Sequence, residues 1–137
     1  MRELRDDPLI VKSAVEELLR FDSPVQLTGR LVLEPLLVDG VKIEPGNDVI
    51  TLLGAANRDP EAFPDPDRLD LRRSANHHVA FGGGIHFCLG APLARLEGQI
   101  AIGELASRFP SLEIDVEGAV LRDTVTLRGL TSLPASV

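Results

Sequence analysis

Apolar residues recur at helical spacing in two stretches of the chain, and their positions predict its two main helices. The first stretch runs from Leu9 to Phe21 and directly follows Asp7-Pro8, a pair that suits a helix cap and a first helical position. The second follows Pro92, and proline is tolerated in the first turn of a helix. We therefore expect helices over residues 8–21 and 91–109.

Short aliphatic and β-branched runs lie between and after these helices, and they indicate strands. Asp39-Gly40 and Pro45-Gly46 are turn dipeptides within the first set, which predicts a small antiparallel meander. After the second helix, residues 112–116 and 124–127 alternate like strands, and the tail 129–137 is expected to be extended. The candidates before the second helix are Leu31–Leu33, Leu36–Val38, Val41–Ile43 and Val49–Leu53.

The stretch Asn57–Asp70 excludes a long helix or a central strand, because it has three prolines within seven positions. Phe63 and Leu69 are spaced through it, which favours a packed irregular segment over a linker. The chain has no internal repeats and no low-complexity tract, and its length of 137 residues allows one ordinary domain. Helices, small sheets and an irregular segment together indicate an α+β architecture.

The overall charge and the single cysteine narrow the class of protein. A net charge of -7 and a pI near 4.9 argue against a nucleic-acid binder, which would carry a basic face. One cysteine excludes an intramolecular disulfide framework and fits a reducing cytoplasm. The sequence shows no run of eighteen apolar residues and no signal-peptide pattern, so we expect no membrane span and a cytoplasmic location.

The most informative chemical feature is the glycine-rich run Phe81–Gly90 (the cysteine loop), which holds Cys88. A lone cysteine is usually an inert packing residue, but this one follows three consecutive glycines. It also precedes a predicted helix, where unpaired amide donors and the helix dipole favour a thiolate. Small residues at Gly84, Gly90 and Ala94 would let a flat group lie close. The pattern therefore suits an axial sulfur ligand to heme iron.

Two alternatives for the same residues have less support. Gly82-Gly83-Gly84 could cradle a phosphate, but no phosphate-loop or dinucleotide-binding glycine register fits, and Phe87 blocks the latter. The three histidines and the cysteine could bind zinc, but their spacing matches none of the usual paired-ligand patterns and only one sulfur is present. We expect His77 and His78 to be loop residues that face solvent.

At this loop the chain resembles the cytochrome P-450 superfamily, the heme-thiolate monooxygenases. The family pattern is Phe-x-x-Gly-x-(Arg or His)-x-Cys-x-Gly, and its fixed positions are matched by Phe81, Gly84, His86, Cys88 and Gly90. The resemblance implies that Cys88 is the proximal, catalytic ligand to the iron of heme b (iron protoporphyrin IX). It also implies that Phe81 packs beside the sulfur and that His86 hydrogen-bonds a heme propionate. The implied cofactor-binding residues are Cys88, His86, Arg30, Phe81, Gly82, Gly84, Gly90 and Ala94.

A second match to the family lies upstream, in Glu17-Leu18-Leu19-Arg20. Taken alone, Glu17 and Arg20 would be an ordinary surface ion pair, and Glu16 could equally pair with Arg20. The family has Glu-x-x-Arg in this order, joined by an arginine from a proline-rich stretch. The resemblance therefore implies a buried structural triad of Glu17, Arg20 and Arg68. It also implies that Arg30 forms a salt bridge to a heme propionate, which a guanidinium suits.

The resemblance covers the whole chain but only about the last third of a family member, and its motifs look like those of the soluble bacterial branch. The parent fold is mainly α. The resemblance implies a monooxygenase acting on a small organic substrate, with a ferredoxin- or flavodoxin-type electron donor and its NAD(P)H reductase. Arg72, Arg73 and Arg95 are candidate docking charges for that donor. Two alternatives stay open: a non-catalytic or vestigial heme-binding fragment, and a small domain of another kind without metal.

Overall fold

Two helices packed against each other form the centre of the structure, a computed structural model that describes all residues from Met1 to Val137. They are the two helices that the apolar spacing predicted, and two shorter helices lie outside the predicted ranges. The helices are α1 (Arg2–Asp6), α2 (Val11–Phe21), α3 (Leu53–Ala56) and α4 (Ala91–Arg108), with 3-10 turns at Pro8–Ile10 and Gly84–His86.

A proline lies at or just before the start of each main helix. Asp7 accepts a hydrogen bond from the amide of Leu9 at 3.2 Å, and Pro8 opens the 3-10 turn that leads into α2. Pro92 lies in the first turn of α4. Both predicted helices are confirmed, although the first begins as a 3-10 turn and the second ends one residue earlier than expected.

The core between these helices is small, and α4 approaches α2 closely. Gly98 faces Val15, and a Cβ on Gly98 would lie only 3.2 Å from Val15 Cγ1. The small residue therefore sets how near α4 lies to α2. The buried apolar cluster beside this crossing consists of Leu4, Ile10, Ala14 and Ala106.

The strands form four two-stranded antiparallel sheets. β2 (Leu36–Val38) and β3 (Val41–Ile43) make a hairpin closed by Asp39-Gly40, whose φ angles of 46° and 78° fit a type I′ turn. The expected continuous meander is wrong, because this hairpin pairs only with itself and β1 (Thr28–Leu31) pairs with β4 (Asp48–Thr51) across it. The first strand also lies earlier in the chain than predicted.

The C-terminal part contains two further strand pairs. They are β5 (Glu113–Ile114) with β8 (Ala135–Ser136), and β6 (Val120–Leu121) with β7 (Leu130–Ser132). The tail is extended, as predicted, and much of it is paired. The predicted strand 124–127 is wrong, because this segment reverses the chain between β6 and β7 and makes only a single bridge, between Leu127 and Val25.

The proline-rich segment between α3 and the cysteine loop contains no helix or strand. It is packed, as predicted, and Phe63 within it is 4% exposed, whereas Leu69 is 43% exposed. The fully buried Asn57 fixes its course, because its Nδ2 donates to Ser23 Oγ and its Oδ1 accepts from the amide of Val79, both at 2.7 Å. One side chain thus connects the region after α2 to the residues that lead into the cysteine loop.

A buried ion cluster holds α2 against this irregular segment. The Glu17 and Arg20 side chains are fully buried, and the guanidinium of Arg20 donates to both carboxylate oxygens of Glu17 at 2.8 and 2.9 Å. Arg73 Nε lies 3.1 and 3.2 Å from the same two oxygens. The backbone amide of Asp70 and the side-chain amide of Asn76 add donors at 2.9 and 3.1 Å. The carboxylate is therefore surrounded by donors from two parts of the chain.

Arg73, and not the predicted Arg68, is the third charged member of this cluster. The amide of Arg68 donates to the Asp65 carbonyl at 3.0 Å, in a turn where Asp65 has a φ of 49°. The turn places the Arg68 carbonyl against the cluster, where Arg20 and Arg73 donate to it at 3.4 and 3.3 Å, and leaves its side chain exposed. The prediction of Arg68 is therefore wrong, because its backbone oxygen takes part and its charge does not.

Replacing Arg73 by Met should destabilise the fold much more than replacing Arg68 by Met. The first change removes a cation from a buried carboxylate and should lower the free energy of unfolding by about 3 kcal/mol, since Arg20 still neutralises part of the charge. The second change affects an exposed side chain and should cost less than about 0.5 kcal/mol. Urea unfolding followed by circular dichroism measures both. Equal losses, or a larger loss for Arg68→Met, would contradict the assignment.

Candidate cofactor site

The cysteine loop folds back on itself and brings its cysteine against its first residue. The amide of Cys88 donates to the carbonyl of Phe81 at 2.9 Å. Between them, Gly82 and Gly84 have φ angles of 71° and 58°, a region that residues with a Cβ rarely adopt. The glycines are therefore needed for the loop to close into this shape. The 3-10 turn Gly84–His86 forms its tip.

Cys88 is exposed as a residue, and its sulfur is free of any disulfide. The amides of Leu89 and Gly90 donate to no backbone oxygen, whereas the amide of Ala91 donates to the Cys88 carbonyl at 3.2 Å. Two backbone donors beside the sulfur thus remain available to it. A Cβ on Gly90 would lie 3.8 Å from Sγ, an ordinary contact distance. The loop therefore presents an accessible sulfur with open backbone donors next to it.

A pocket with a volume of about 270 Å³ opens in front of this sulfur. Polar and apolar groups share its lining, so it can hold a mainly apolar ligand and orient it through a few polar contacts. Five of the predicted cofactor residues line it together, while Gly84, Gly90 and Ala94 lie outside its lining. The lining residues are Leu19, Pro24, Val25, Thr28, Arg30, Leu53, Ala80, Phe81, Gly82, His86 and Cys88.

Arg30 is the charged side chain of this pocket. Its Nη1 donates to Thr28 Oγ1 at 2.9 Å and to the carbonyl of Gly29 at 2.7 Å, which fixes the guanidinium at the pocket. These two bonds use one nitrogen, so the remaining N–H groups can meet an anionic ligand. His86 lies on the same lining and is exposed. The pocket lining thus combines the side chains of Arg30, His86 and Cys88 with apolar residues.

Glu16 forms a second polar cluster, behind the loop, that the sequence did not predict. Arg95 donates to its carboxylate through Nε at 2.7 Å and Nη2 at 3.0 Å. His78 Nε2 lies 3.0 Å from the same carboxylate, and its side chain is 1% exposed. The expectation that His78 faces solvent is therefore wrong, because the ring pairs with Glu16 inside the fold. His77, in contrast, is exposed as expected.

The three arginines predicted as docking charges differ in their ion-pair partners and in their exposure. Arg95 is paired with Glu16, and Arg73 is paired with the buried Glu17, so these two side chains are occupied within the fold. Only Arg72 remains largely exposed, where it pairs with Asp7 at 2.9 Å. The prediction that Arg73 and Arg95 present docking charges is wrong, because internal carboxylates neutralise them.

Burial and hydrogen bonds shift the pKa values of both clusters. Burial tends to raise the pKa of Glu16, but bonds from Arg95 and His78 outweigh it, so the pKa lies below its ordinary value. The same balance, with Arg20 and Arg73 as donors, lowers the pKa of Glu17. The pKa of His78 is lowered chiefly by burial, against the opposing effect of Glu16. The lowered pKa favours the neutral form of the His78 ring.

The structure gives no support to the zinc alternative or to a second chemical site. No group of three or more His, Cys, Asp or Glu side chains comes together to hold a metal ion. A larger cavity of about 400 Å³ lies between the N-terminal turn and α4, but Arg5 is the sole charged residue of its lining. It brings no set of reactive side chains together, so the pocket at Cys88 is the candidate functional site.

Comparison with known proteins gives the family. The profile described as Cytochrome P450 matches residues 4–133. The chain is 47% identical over 133 residues to 6-deoxyerythronolide B hydroxylase of Saccharopolyspora erythraea, covering 96% of this chain and 33% of that protein. It is 49% identical over 137 residues to vitamin D(3) 25-hydroxylase of Pseudonocardia autotrophica, covering 98% and 34%. The chain belongs to the cytochrome P450 family.

Solved structures agree with this assignment. Cytochrome P450 PksS of Bacillus subtilis 168 matches with a TM-score of 0.93 and 47% identity, over 98% of this chain and 36% of that one. P450BioI, solved in complex with an acyl carrier protein ligated to hexadec-9Z-enoic acid, matches with a TM-score of 0.94 over 98% and 35%. The fold is confirmed as an α+β portion of the cytochrome P450 fold, and the chain spans about a third of the length of the curated relatives it matches.

None of the helices combines the length and the hydropathy that crossing a membrane would require.

Members of this family hold heme b, and the residues at the pocket fit that group chemically. The soft sulfur of Cys88 suits iron, and the free N–H groups of Arg30 together with His86 suit the two propionates. Leu19 and Val25 line the same pocket and would offer apolar surface to a porphyrin. The donor set of this pocket thus matches each chemical part of heme.

Acid should destabilise the fold in two stages. His78, Glu16 and Glu17 all have folded-state pKa values below their ordinary ones, so the unfolded chain binds protons more readily than the folded chain. The free energy of unfolding therefore decreases as the pH is lowered. The first loss should begin below pH 6.5, the ordinary pKa of histidine, and the second below 4.5, that of glutamate. Urea midpoints measured across this range test the prediction.

The variant Glu16→Gln should flatten the second stage, because it removes one titrating carboxylate, and should steepen the first, because Glu16 opposes the lowering of the His78 pKa by burial. Glu97→Gln, at an exposed position of α4, serves as the matched control and should keep the wild-type slope. An identical slope for the chain and for Glu16→Gln would contradict the link to this cluster.

Proposed function

We propose that Cys88 is the proximal thiolate ligand of a heme b iron, and that this chain is the heme-ligating portion of a monooxygenase. The observation that carries the proposal is the position of the free Cys88 sulfur, on one pocket with Arg30 and His86. A sulfur meant only for packing would be buried among apolar residues, and this one is exposed. Membership of the cytochrome P450 family supports the same role.

The other residues of the site hold and orient the cofactor. Arg30 and His86 bind the propionates, Arg30 through the N–H groups that its bonds to Thr28 and Gly29 leave free. Phe81 packs beside the sulfur, and its carbonyl accepts the Cys88 amide. Among the small residues assigned to the cofactor, Gly82 lines the pocket and leaves space for a flat group to approach, whereas Gly84, Gly90 and Ala94 lie outside the lining.

Thiolate ligation supplies electron density to the iron and favours cleavage of the O–O bond. We propose that the whole protein uses dioxygen and two electrons to oxidise a small organic substrate. The names of the relatives, among them a 6-deoxyerythronolide B hydroxylase and a vitamin D(3) 25-hydroxylase, support oxidation as the reaction class. The part of the chain described here contributes the sulfur and the propionate contacts to that reaction.

The electrons are proposed to come from a ferredoxin- or flavodoxin-type donor with its NAD(P)H reductase, in the cytoplasm. A reducing compartment suits a protein whose working residue is one free thiol. Of the arginines near the cysteine loop in sequence, Arg72 keeps enough exposure to take part in docking, since its side chain is 55% exposed. Arg73 and Arg95 are not available for this role.

A second candidate is a heme-binding segment without turnover of its own. A site that activates oxygen must exclude water, yet Ile85 and Leu89 of the cysteine loop are each 98% exposed. This observation favours binding without oxidation for the chain by itself. Oxidation of any test substrate by the isolated chain with peroxide would rule the second candidate out.

The first test is the spectrum of the reduced chain with added heme and carbon monoxide. A thiolate ligand should give a Soret band at about 450 nm, and another ligand one at about 420 nm. Cys88→Ser removes the sulfur and should abolish the band at about 450 nm. Persistence of this band in Cys88→Ser, or its absence from the unaltered chain, would contradict the proposed ligand.

The second test measures the contribution of Arg30 to heme affinity. Arg30→Gln removes a charged donor to a propionate and should weaken binding about tenfold, because hydrogen bonds to charged groups contribute about 1.5–3 kcal/mol. Arg122→Gln, at an exposed position far along the chain, is the matched control and should leave affinity unchanged. The dissociation constant comes from titration of heme followed by absorbance. Equal affinities for the two variants would exclude the propionate contact.

A further inference from the structure

The carboxylate of Glu16 contacts residues on both sides of the cysteine loop. On the N-terminal side it binds His78, three residues before Phe81, at 3.0 Å. On the C-terminal side it binds Arg95, in α4, at 2.7 and 3.0 Å. Glu16 itself lies on α2, so one helix outside the loop holds the two chain segments between which the loop runs.

The contact through His78 is buried and leaves no ring nitrogen without a partner. His78 Nδ1 accepts from the amide of Ala80 at 3.2 Å, so Nε2 carries the proton that Glu16 accepts. The His78 ring centroid lies 6.0 Å from that of Phe81. Removing the Glu16 charge would leave a buried N–H with a weaker acceptor, directly beside the first residue of the loop.

The contact through Arg95 reaches the same phenylalanine. Its guanidinium carbon lies 4.7 Å from the centre of the Phe81 ring while both donors are held by Glu16. Phe81 in turn accepts the amide of Cys88 at 2.9 Å. Both contacts of Glu16 therefore converge on the residue that is hydrogen-bonded to the cysteine.

We propose that Glu16 is a positioning residue for Cys88, which acts through His78 and Arg95 to hold both ends of the cysteine loop and keep the sulfur at the pocket. The role of the Cys88 sulfur as a heme ligand rests on the proposed function, whereas the restraint of the loop by Glu16 does not. Arg95 then restrains the cysteine loop and does not bind an electron donor.

A simpler role for Glu16 is that of an ordinary ion pair between α2 and α4. Glu16 and Arg95 are 26% and 31% exposed, and pairs with such exposure contribute about 0–1 kcal/mol. That role predicts a small, general loss of stability when Glu16 changes. The restraint on the loop predicts a local effect at the loop, and the two are therefore distinguishable.

The deciding experiment is amide hydrogen exchange on the 137-residue chain without heme, comparing Glu16→Gln with the control Glu97→Gln. In Glu16→Gln the amides of Gly82 and Cys88, which donate to Val79 and Phe81, should exchange about tenfold faster. The amide of Val32, in the sheet region, should keep its rate, and Glu97→Gln should change none of them. An unchanged loop, or an equal rise at Val32, would overturn the proposal.

The reduced carbon monoxide spectrum gives a second readout that a merely structural role would not move. Glu16→Gln should transfer part of the band from about 450 nm to about 420 nm, and Arg95→Lys should do so to a smaller extent. Arg108→Lys, at an exposed ion-paired position of the same helix, is the control for Arg95→Lys and should leave the spectrum unchanged. A normal spectrum in both Glu16→Gln and Arg95→Lys would overturn the positioning role. If the unaltered chain lacks the band at about 450 nm, the proposed function fails, and hydrogen exchange alone decides on the restraint.

Discussion

The fully buried carboxylate of Glu17 accepts hydrogen bonds from Arg20, Arg73, Asn76 and the backbone amide of Asp70. A buried carboxylate without such partners is costly, so α2 can pack only when these donors are in place. Three of the four donors belong to the irregular segment, which has no helix or strand of its own. The charge on one helix therefore gives that segment a defined course, and the segment leads the chain into the cysteine loop.

Glu16 and Glu17 are neighbours on α2, and their side chains contact different parts of the fold. Glu17 contacts the irregular segment, while Glu16 contacts His78 and, on α4, Arg95. The same helix thus restrains the approach to the cysteine loop and the loop itself. This arrangement explains how a loop rich in glycine, which has few preferences of its own, can keep one conformation.

The sequence could predict what depends on local pattern, and it failed where distant residues meet. Helical periodicity located both main helices, and the spacing of the cysteine loop identified the candidate ligand. The sequence alone could not choose between Arg68 and Arg73 as the partner of Glu17, because a turn with positive φ at Asp65 decides which side chain points inward. The partners of Glu16 lie 62 and 79 positions away, and no local period reports such contacts.

The pairing of the strands shows the same limit. The hairpin was predictable because its turn dipeptide specifies the conformation that joins the two strands. The pairing of β1 with β4 has no such signal, since the hairpin separates them in the chain. The pocket depends on this pairing, because Thr28 and Arg30 of β1 lie in its lining.

The close contact of α2 and α4 at Gly98 has a consequence for the position of Cys88. A methyl group on Gly98 would meet Val15 at 3.2 Å, so a larger residue at this position would push α2 and α4 apart. Cys88 lies three residues before the first residue of α4, so a displacement of this helix would act on the segment that holds the cysteine. A hydrogen atom in place of a side chain, ten residues from Cys88, thus helps to set where α4 lies against α2.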